Sequence, residues 1–151
     1  MITIEEFKNK HSNKVRLIGL DLGSKRIGIS ICDEKQSIAT PFKTINKTNT
    51  NDLINQLKVL INENNIKGII IGNPINMDGS LGKSAQSVND IANNITKSID
   101  LPVCLWDERL STVAAFNLSS QLDVNVSKRE KKIDQNAAAF ILQGAIDYLN
   151  N

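Results

Sequence analysis

Leu17-Ile18-Gly19-Leu20-Asp21-Leu22-Gly23-Ser24-Lys25-Arg26-Ile27-Gly28-Ile29-Ser30-Ile31 reads as a buried strand, a tight glycine turn and a second strand. One carboxylate, Asp21, is left at the corner. The run from Val15 to Leu20 is almost wholly apolar, as expected of a strand covered on both faces. Gly23 and Gly28 relieve backbone crowding where the chain reverses. An aspartate that ends an apolar strand is costly to bury unless something cationic meets it. A metal ion, the following Lys25-Arg26 or a bound ligand would serve. The plainer alternative is a turn aspartate that bonds only backbone amides.

Outward from this hairpin, residues 15–21, 26–32 and 37–45 read as three strands in an antiparallel meander, with Asp33-Glu34-Lys35-Gln36 as the second turn. Asn49 or Thr50 caps a helix on which Leu53, Ile54, Leu57, Leu60 and Ile61 recur at helical spacing. Lys67 to Gly72 is a short buried strand, reached by a parallel crossover. A loop, Pro74 to Gly82, leads to a second helical stripe of Ala85, Val88, Ile91, Ala92, Ile95 and Ile99. Leu101 to Trp106 is the last strand, and helices over about 111–122 and 134–149 close the chain. The order predicts an α/β domain of ribonuclease H-like architecture, a mixed five-stranded sheet with helices on both faces. Its first strand is central, between the second and fourth. Residues 1–13, with Ile2, Ile4 and Phe7 among polar neighbours, form an extension that either docks as a short helix or frays. Residues 14–151 form a single domain.

With 18 basic against 16 acidic side chains, no global field announces a nucleic-acid partner, so local clusters must carry any such reading. An aromatic content of 4% argues against base-stacking platforms. Cys32 and Cys104 fit no metal-ligand spacing and read as small buried hydrophobes in a reducing compartment. His11, the only histidine, reads as a surface residue. No stretch approaches a membrane span, and the first residues lack a signal-peptide core, so the expected location is cytoplasmic.

The strand ends carry the chemistry. Ligands of open α/β sheets bind at the carboxyl edge of the strands. Asp21 ends the first strand, Asp107 and Glu108 end the fifth, and Asp134 opens the last helix. Carboxylates converging on one edge make an oxygen-rich pocket suited to Mg²⁺ or Mn²⁺. Asp107 and Glu108 point to opposite faces of their strand, so one enters the site. Glu108 is chosen for its longer arm, which leaves Asp107 to hold Arg109 or a loop amide. Asp134 has a duller alternative as a helix cap. In the loop before the second stripe, Asn76, Ser80 and Lys83 flank exposed amides at a helix start, a setting that suits a phosphate. Asp78 or Ser80 acting only as a helix cap is the alternative. Lys128-Arg129-Glu130-Lys131-Lys132 is either a solvated face or a grip on nucleic-acid backbone beside Asp134.

Four segments together resemble the signatures of the YqgF family, bacterial Holliday-junction-resolvase-like proteins also described as pre-16S rRNA nucleases. They are Gly19-Leu20-Asp21-Leu22-Gly23-Ser24-Lys25-Arg26-Ile27-Gly28; Gly72-Asn73-Pro74 with Met77-Asp78-Gly79-Ser80; Asp107-Glu108-Arg109-Leu110-Ser111-Thr112; and Asp134 through Ala137-Ala138 with Ile141-Leu142-Gln143. The likeness covers about residues 15–149. It implies a ribonuclease H-like fold, a cytoplasmic location and a nuclease role at the 5′ end of precursor 16S rRNA. It places the family's acidic positions on Asp21, Glu108 and Asp134. It sets Lys25, Arg26 and Arg109 against the phosphate backbone. Ser30 and Ser111 stand where the family often has alanine and threonine. True junction resolvases end their fourth strand in a carboxylate. Here that strand ends Gly72-Asn73-Pro74, so the second acidic ligand comes from strand five, ~9.6 Å from strand one.

The resulting expectation is a hydrolase of phosphodiester bonds dependent on Mg²⁺ or Mn²⁺, acting on precursor rRNA. By analogy with the fold, in-line attack by water would leave a 5′-phosphate and a 3′-hydroxyl. Two rivals are a junction resolvase acting on branched DNA and a non-catalytic nucleic-acid-binding module.

Overall fold

A computed structural model describes residues 1–11, 13–76, 78–110 and 126–151, the side chains of 126–135 excepted. Its elements are α1 (Ile4–Lys10), β1 (Leu17–Leu22), β2 (Arg26–Cys32), β3 (Ala39–Asn46), α2 (Thr50–Asn64), β4 (Gly68–Asn73), α3 (Lys83–Ser98), β5 (Val103–Asp107) and α4 (Val126–Asn150). A single 3₁₀ turn, Glu108–Leu110, follows β5. The sheet order is β3-β2-β1-β4-β5. β1 runs antiparallel to β2 and parallel to β4, which leaves it at the centre as expected.

The boundaries follow from local chemistry. The Asp33 carboxylate accepts the amides of Ser37 and Ile38 at 2.7 and 2.9 Å and the Ser37 hydroxyl at 2.6 Å. Those amides are therefore spent on the turn, and β3 begins at Ala39 rather than at residue 37. Asn49 caps α2 by accepting from the Asp52 amide at 2.8 Å, and Asn65, in left-handed conformation, ends it. α3 has no side-chain cap: Gly82 precedes it, so neither Asp78 nor Ser80 plays that role.

Alternation along the strands divides the core. Ile18, Leu20, Ile69 and Ile71 pack with Leu53 and Leu57 of α2 and Val88, Ala92 and Ile95 of α3. On the other face Leu17, Ile70, Cys104 and Trp106 pack with Ile141, Leu142, Ala145 and Ile146 of α4. Phe7 of α1 joins this second cluster, Ile2 bridges Cys104 at the sheet edge, and His11 stacks on Phe7 from an exposed position. Both cysteines are buried free thiols, and burial pushes the Cys104 thiol up to about 12.

Helix α4 sits unusually close to the sheet. A Cβ on Gly19 would lie 2.5 Å from Ser30 Oγ and 2.8 Å from Leu142 Cβ, so only glycine fits there. The buried Ser30 hydroxyl donates to the Ala138 carbonyl at 2.7 Å. Gln143 accepts from the Ala39 amide at 2.8 Å and donates to the Ser37 carbonyl at 3.1 Å, which pins the helix to the β2–β3 hairpin.

Two expectations concerning the C-terminal part need revision or fall elsewhere. α4 starts at Val126, so Asp134 lies inside the helix and neither opens nor caps it. The apolar stripe from Ala138 onward marks only the half of the helix that packs on the sheet. The same helix therefore includes the basic run 128–132. The helix expected over 111–122 lies outside the described residues. No helix among the described residues is long and apolar enough to cross a membrane.

Candidate active site

Asp21 is the fifth residue of β1 and shares its face with Leu17 and Gly19, the face that α4 covers. The chain turns immediately beyond it, with the Gly23 amide donating to the Asp21 carbonyl at 3.1 Å. A Cβ on Gly23 would lie 2.5 Å from the Arg26 carbonyl oxygen, so the tight turn requires glycine.

Glu108 follows β5, two residues beyond Trp106. Trp106 is in register with Gly72 of β4. A Cβ on Gly72 would lie 3.1 Å from both Cγ and Cδ of Glu108 and 2.5 Å from Ile141 Cδ1. The Glu108 side chain therefore lies over a bare patch of β4 and crosses toward β1. That path closes the two-strand gap between the acidic residues. Its electrostatics agree: the Glu108 carboxyl is pushed up to about 7, first by burial, next by the Asp21 charge and then by Asp107. Sequence reasoning misses Gly72 as a site residue. The available signal is a strand ending Gly-Asn-Pro where a carboxylate stands in true junction resolvases.

Asp107 faces away and binds Arg109. The Arg109 Nε donates to both Asp107 oxygens at 3.0 Å, Nη2 donates at 2.6 Å, and the Arg109 amide donates to Oδ1 at 3.0 Å. The guanidinium holds the Asp107 carboxyl below its usual range, and the carboxylate raises Arg109 in turn. Both roles offered for Asp107, holding Arg109 and a loop amide, are thus filled at once.

The Asn76–Ser80 turn lies beside this pair. A Cβ on Gly79, whose φ is +88°, would lie 3.7 Å from Arg109 Nη1. Asn76 Nδ2 donates to Ser80 Oγ at 3.1 Å, and the Ser80 amide and hydroxyl donate to Asp78 Oδ1 at 2.9 and 2.6 Å. Asn76 and Ser80 thus stabilise their own turn, and Lys83 is exposed at the start of α3. On the other side of Asp21, Lys25 is exposed and Arg26 half-buried. Asp134 lies one helical turn before Ala138, whose carbonyl meets Ser30. The far end of α4 reaches Gln36 and, through Asn151, Lys8 near the start of β1, so its earlier turns lead toward the end of β1 that carries Asp21. Lys128 and Arg129 fall in the first turns of α4.

Among the described residues, no three His, Cys, Asp or Glu side chains gather closely enough to hold a metal. Two carboxylates, Asp21 and Glu108, do converge. Their donors are all oxygen, the type that suits Mg²⁺ or Mn²⁺, which often take one or two protein carboxylates. A divalent cation between them would also relieve the repulsion that raises Glu108.

A mixed sheet of this order, helices on both faces and acidic residues at the carboxyl rim define a ribonuclease H-like protein. The chain belongs to the family described as "RuvX: Holliday junction resolvase", whose model matches residues 15–148. It is 83% identical to a Pelagibacter ubique protein over all 151 residues, the whole of both chains. It is 43% identical to a Cereibacter sphaeroides protein, covering 98% of this chain and 92% of the relative. Both relatives bear the name "Putative pre-16S rRNA nuclease". Among solved structures, Thermus thermophilus RuvC in complex with a Holliday junction superposes with a TM-score of 0.55 at 10% identity, covering 89% of this chain and 94% of that one. At that identity the likeness speaks for the fold alone.

Proposed function

We propose that this protein is a Mg²⁺- or Mn²⁺-dependent nuclease that processes the 5′ end of precursor 16S rRNA in the cytoplasm. The observation that carries the reading is the passage of Glu108 over Gly72 toward Asp21, which brings two carboxylates from strands two apart to one rim. Asp21 and Glu108 would hold the cation, with Asp134 as the third carboxylate. Such a cation offsets charge that develops on a phosphodiester under attack. Glu108, half-buried over Gly72, is fitted to order a water beside the cation. Lys25 and Arg26 would steer the phosphate backbone, with Lys83, Lys128 and Arg129 as further contacts. Asn76, Ser80 and Arg109 act in this scheme by shaping the loop wall.

The RNA substrate is supported by the names of the relatives, one of them 83% identical over the full chain. A second reading, a resolvase of branched DNA, is favoured by the family description and by the fold shared with a junction-bound resolvase. The deciding experiment incubates the purified protein with Mn²⁺ and either a precursor 16S 5′-end transcript or a four-way DNA junction. Cleavage of the transcript alone, abolished by Asp21→Asn in a folded protein, is expected. Cleavage of the junction alone would favour the second reading. Undiminished cleavage by Asp21→Asn would remove Asp21 from the mechanism.

A further inference from the structure

Glu108 lies one residue beyond the last rung of the β4–β5 ladder, where Asn73 pairs with Asp107. Pro74 follows Asn73 and has no amide with which to extend the pairing. The sheet therefore does not fix the backbone of the residue whose side chain crosses Gly72. Asp107 holds that backbone from the side. Its Oδ1 accepts the Arg109 amide at 3.0 Å, which closes a ring around the Glu108 main chain, the form in which an aspartate side chain imitates a turn. The same carboxylate takes the Arg109 guanidinium, with Nε at 3.0 Å from both oxygens and Nη2 at 2.6 Å from Oδ2. Arg109 Nη1 lies against the bare Gly79, where a Cβ would stand 3.7 Å away. The two residues that flank Glu108 are thus tied to each other, while Glu108 itself points to the opposite face.

We propose that Asp107 is a positioning residue for Glu108: by closing on the Arg109 amide and guanidinium, its carboxylate sets the backbone from which Glu108 crosses Gly72 toward Asp21. Asp107 does not touch the cation in this scheme. The inference rests on the reading of Asp21 and Glu108 as a cation-binding pair. Two parts of the clamp can be told apart. The ion pair is 25% exposed on the Asp107 side and 33% on the Arg109 side, so its charge adds little. The ring around Glu108 needs only an acceptor oxygen at the Oδ1 position. Asparagine keeps that oxygen and alanine lacks it, yet both remove the same negative charge.

The test is calorimetric titration of Mn²⁺ into the full chain carrying Asp107→Asn or Asp107→Ala, each shown to be folded by circular dichroism. Asp107→Ala is expected to bind Mn²⁺ ~10-fold more weakly than Asp107→Asn, the usual scale for groups that orient a metal ligand. The two should become equal once Glu108→Gln is added to each, because the ring then has no ligand to place. Should Asp107→Ala fail to fold, Asp107→Thr and Asp107→Val repeat the contrast, since they match in size and only threonine carries an acceptor oxygen. Equal Mn²⁺ affinities within a pair, even with a lower Tm for the member lacking the oxygen, would make Asp107 a turn residue only and overturn the proposal. A difference that persists beside Glu108→Gln would also overturn it, because Asp107 would then act by another route. Both outcomes leave the cation reading intact. Absence of Mn²⁺ binding by the wild-type protein would overturn that reading and the proposal together.

Discussion

Replacing Gly72 by alanine adds one methyl group at the point where Glu108 crosses β4. The new Cβ would stand 2.5 Å from Ile141 Cδ1 and 3.1 Å from the Glu108 Cγ and Cδ atoms. Ile141 is buried, so its terminal methyl has little room to turn away. Overpacking of this kind costs about 1–3 kcal/mol. The loss of glycine's freedom in the unfolded chain returns ~0.4–1 kcal/mol. The net expectation is a loss of about 0.5–2 kcal/mol, or a fall in Tm of roughly 2–6 °C for a chain of this size. Glu108 must also retreat by a few tenths of an ångström, out of its sheltered position and away from Asp21. Its carboxyl should then titrate nearer the ordinary glutamate value, read by carboxyl-carbon NMR on the metal-free protein. Mn²⁺-dependent cleavage should fall ~10-fold or more, since small misplacements of reacting groups are expensive. A Gly72→Ala protein with wild-type stability and an unmoved Glu108 titration would refute the claim that the bare strand end seats this carboxylate.

Three further outcomes follow from the same geometry. Ser30→Ala removes the 2.7 Å hydrogen bond to the Ala138 carbonyl and should lower stability by about 1 kcal/mol, seen as a lower urea midpoint with an unchanged m-value. Because the Glu108 carboxyl is raised from 4.5 to about 7, the folded metal-free protein holds this proton more tightly than the unfolded chain. Its stability should therefore decline as pH rises from about 4.5 to 7. Glu108→Gln should flatten that decline in pH-dependent denaturation curves, and an unaltered profile would contradict the assignment. Cys104, pushed up to about 12 by burial, should resist alkylation at pH 8 in the native protein and react only as the chain unfolds in urea.

Much of this architecture is legible in the order of residues alone. The apolar run into Asp21, the glycine turn and the helix–strand alternation are enough to set β1 at the sheet centre and the acidic residues at one rim. Local hydrogen-bond competition is harder to read. Asp33 draws the amides of Ser37 and Ile38 into the turn and shortens β3, a choice that depends on how the side chain folds back. The start of α4 is hidden because residues 126–137 carry no apolar stripe of the kind found from Ala138 onward, so periodicity begins the helix eight residues late, at Asp134. The seating of Glu108 is the least legible part. Its path depends on which residue of a neighbouring strand falls beside it, and register between β4 and β5 is set by tertiary pairing. Likewise, the compensation of Arg109 by Asp107 emerges only when the two side chains are laid side by side.

The most direct measurement is calorimetric titration of Mn²⁺ into the wild-type protein, Asp21→Asn, Glu108→Gln and the double variant, each shown to be folded by circular dichroism. If the two carboxylates grip one cation, each substitution should weaken binding at least ~10-fold, and the double variant should lose little more than either single one. Mn²⁺ binding with the same affinity and stoichiometry in all four proteins would mean that the ion, if the enzyme uses one, sits elsewhere.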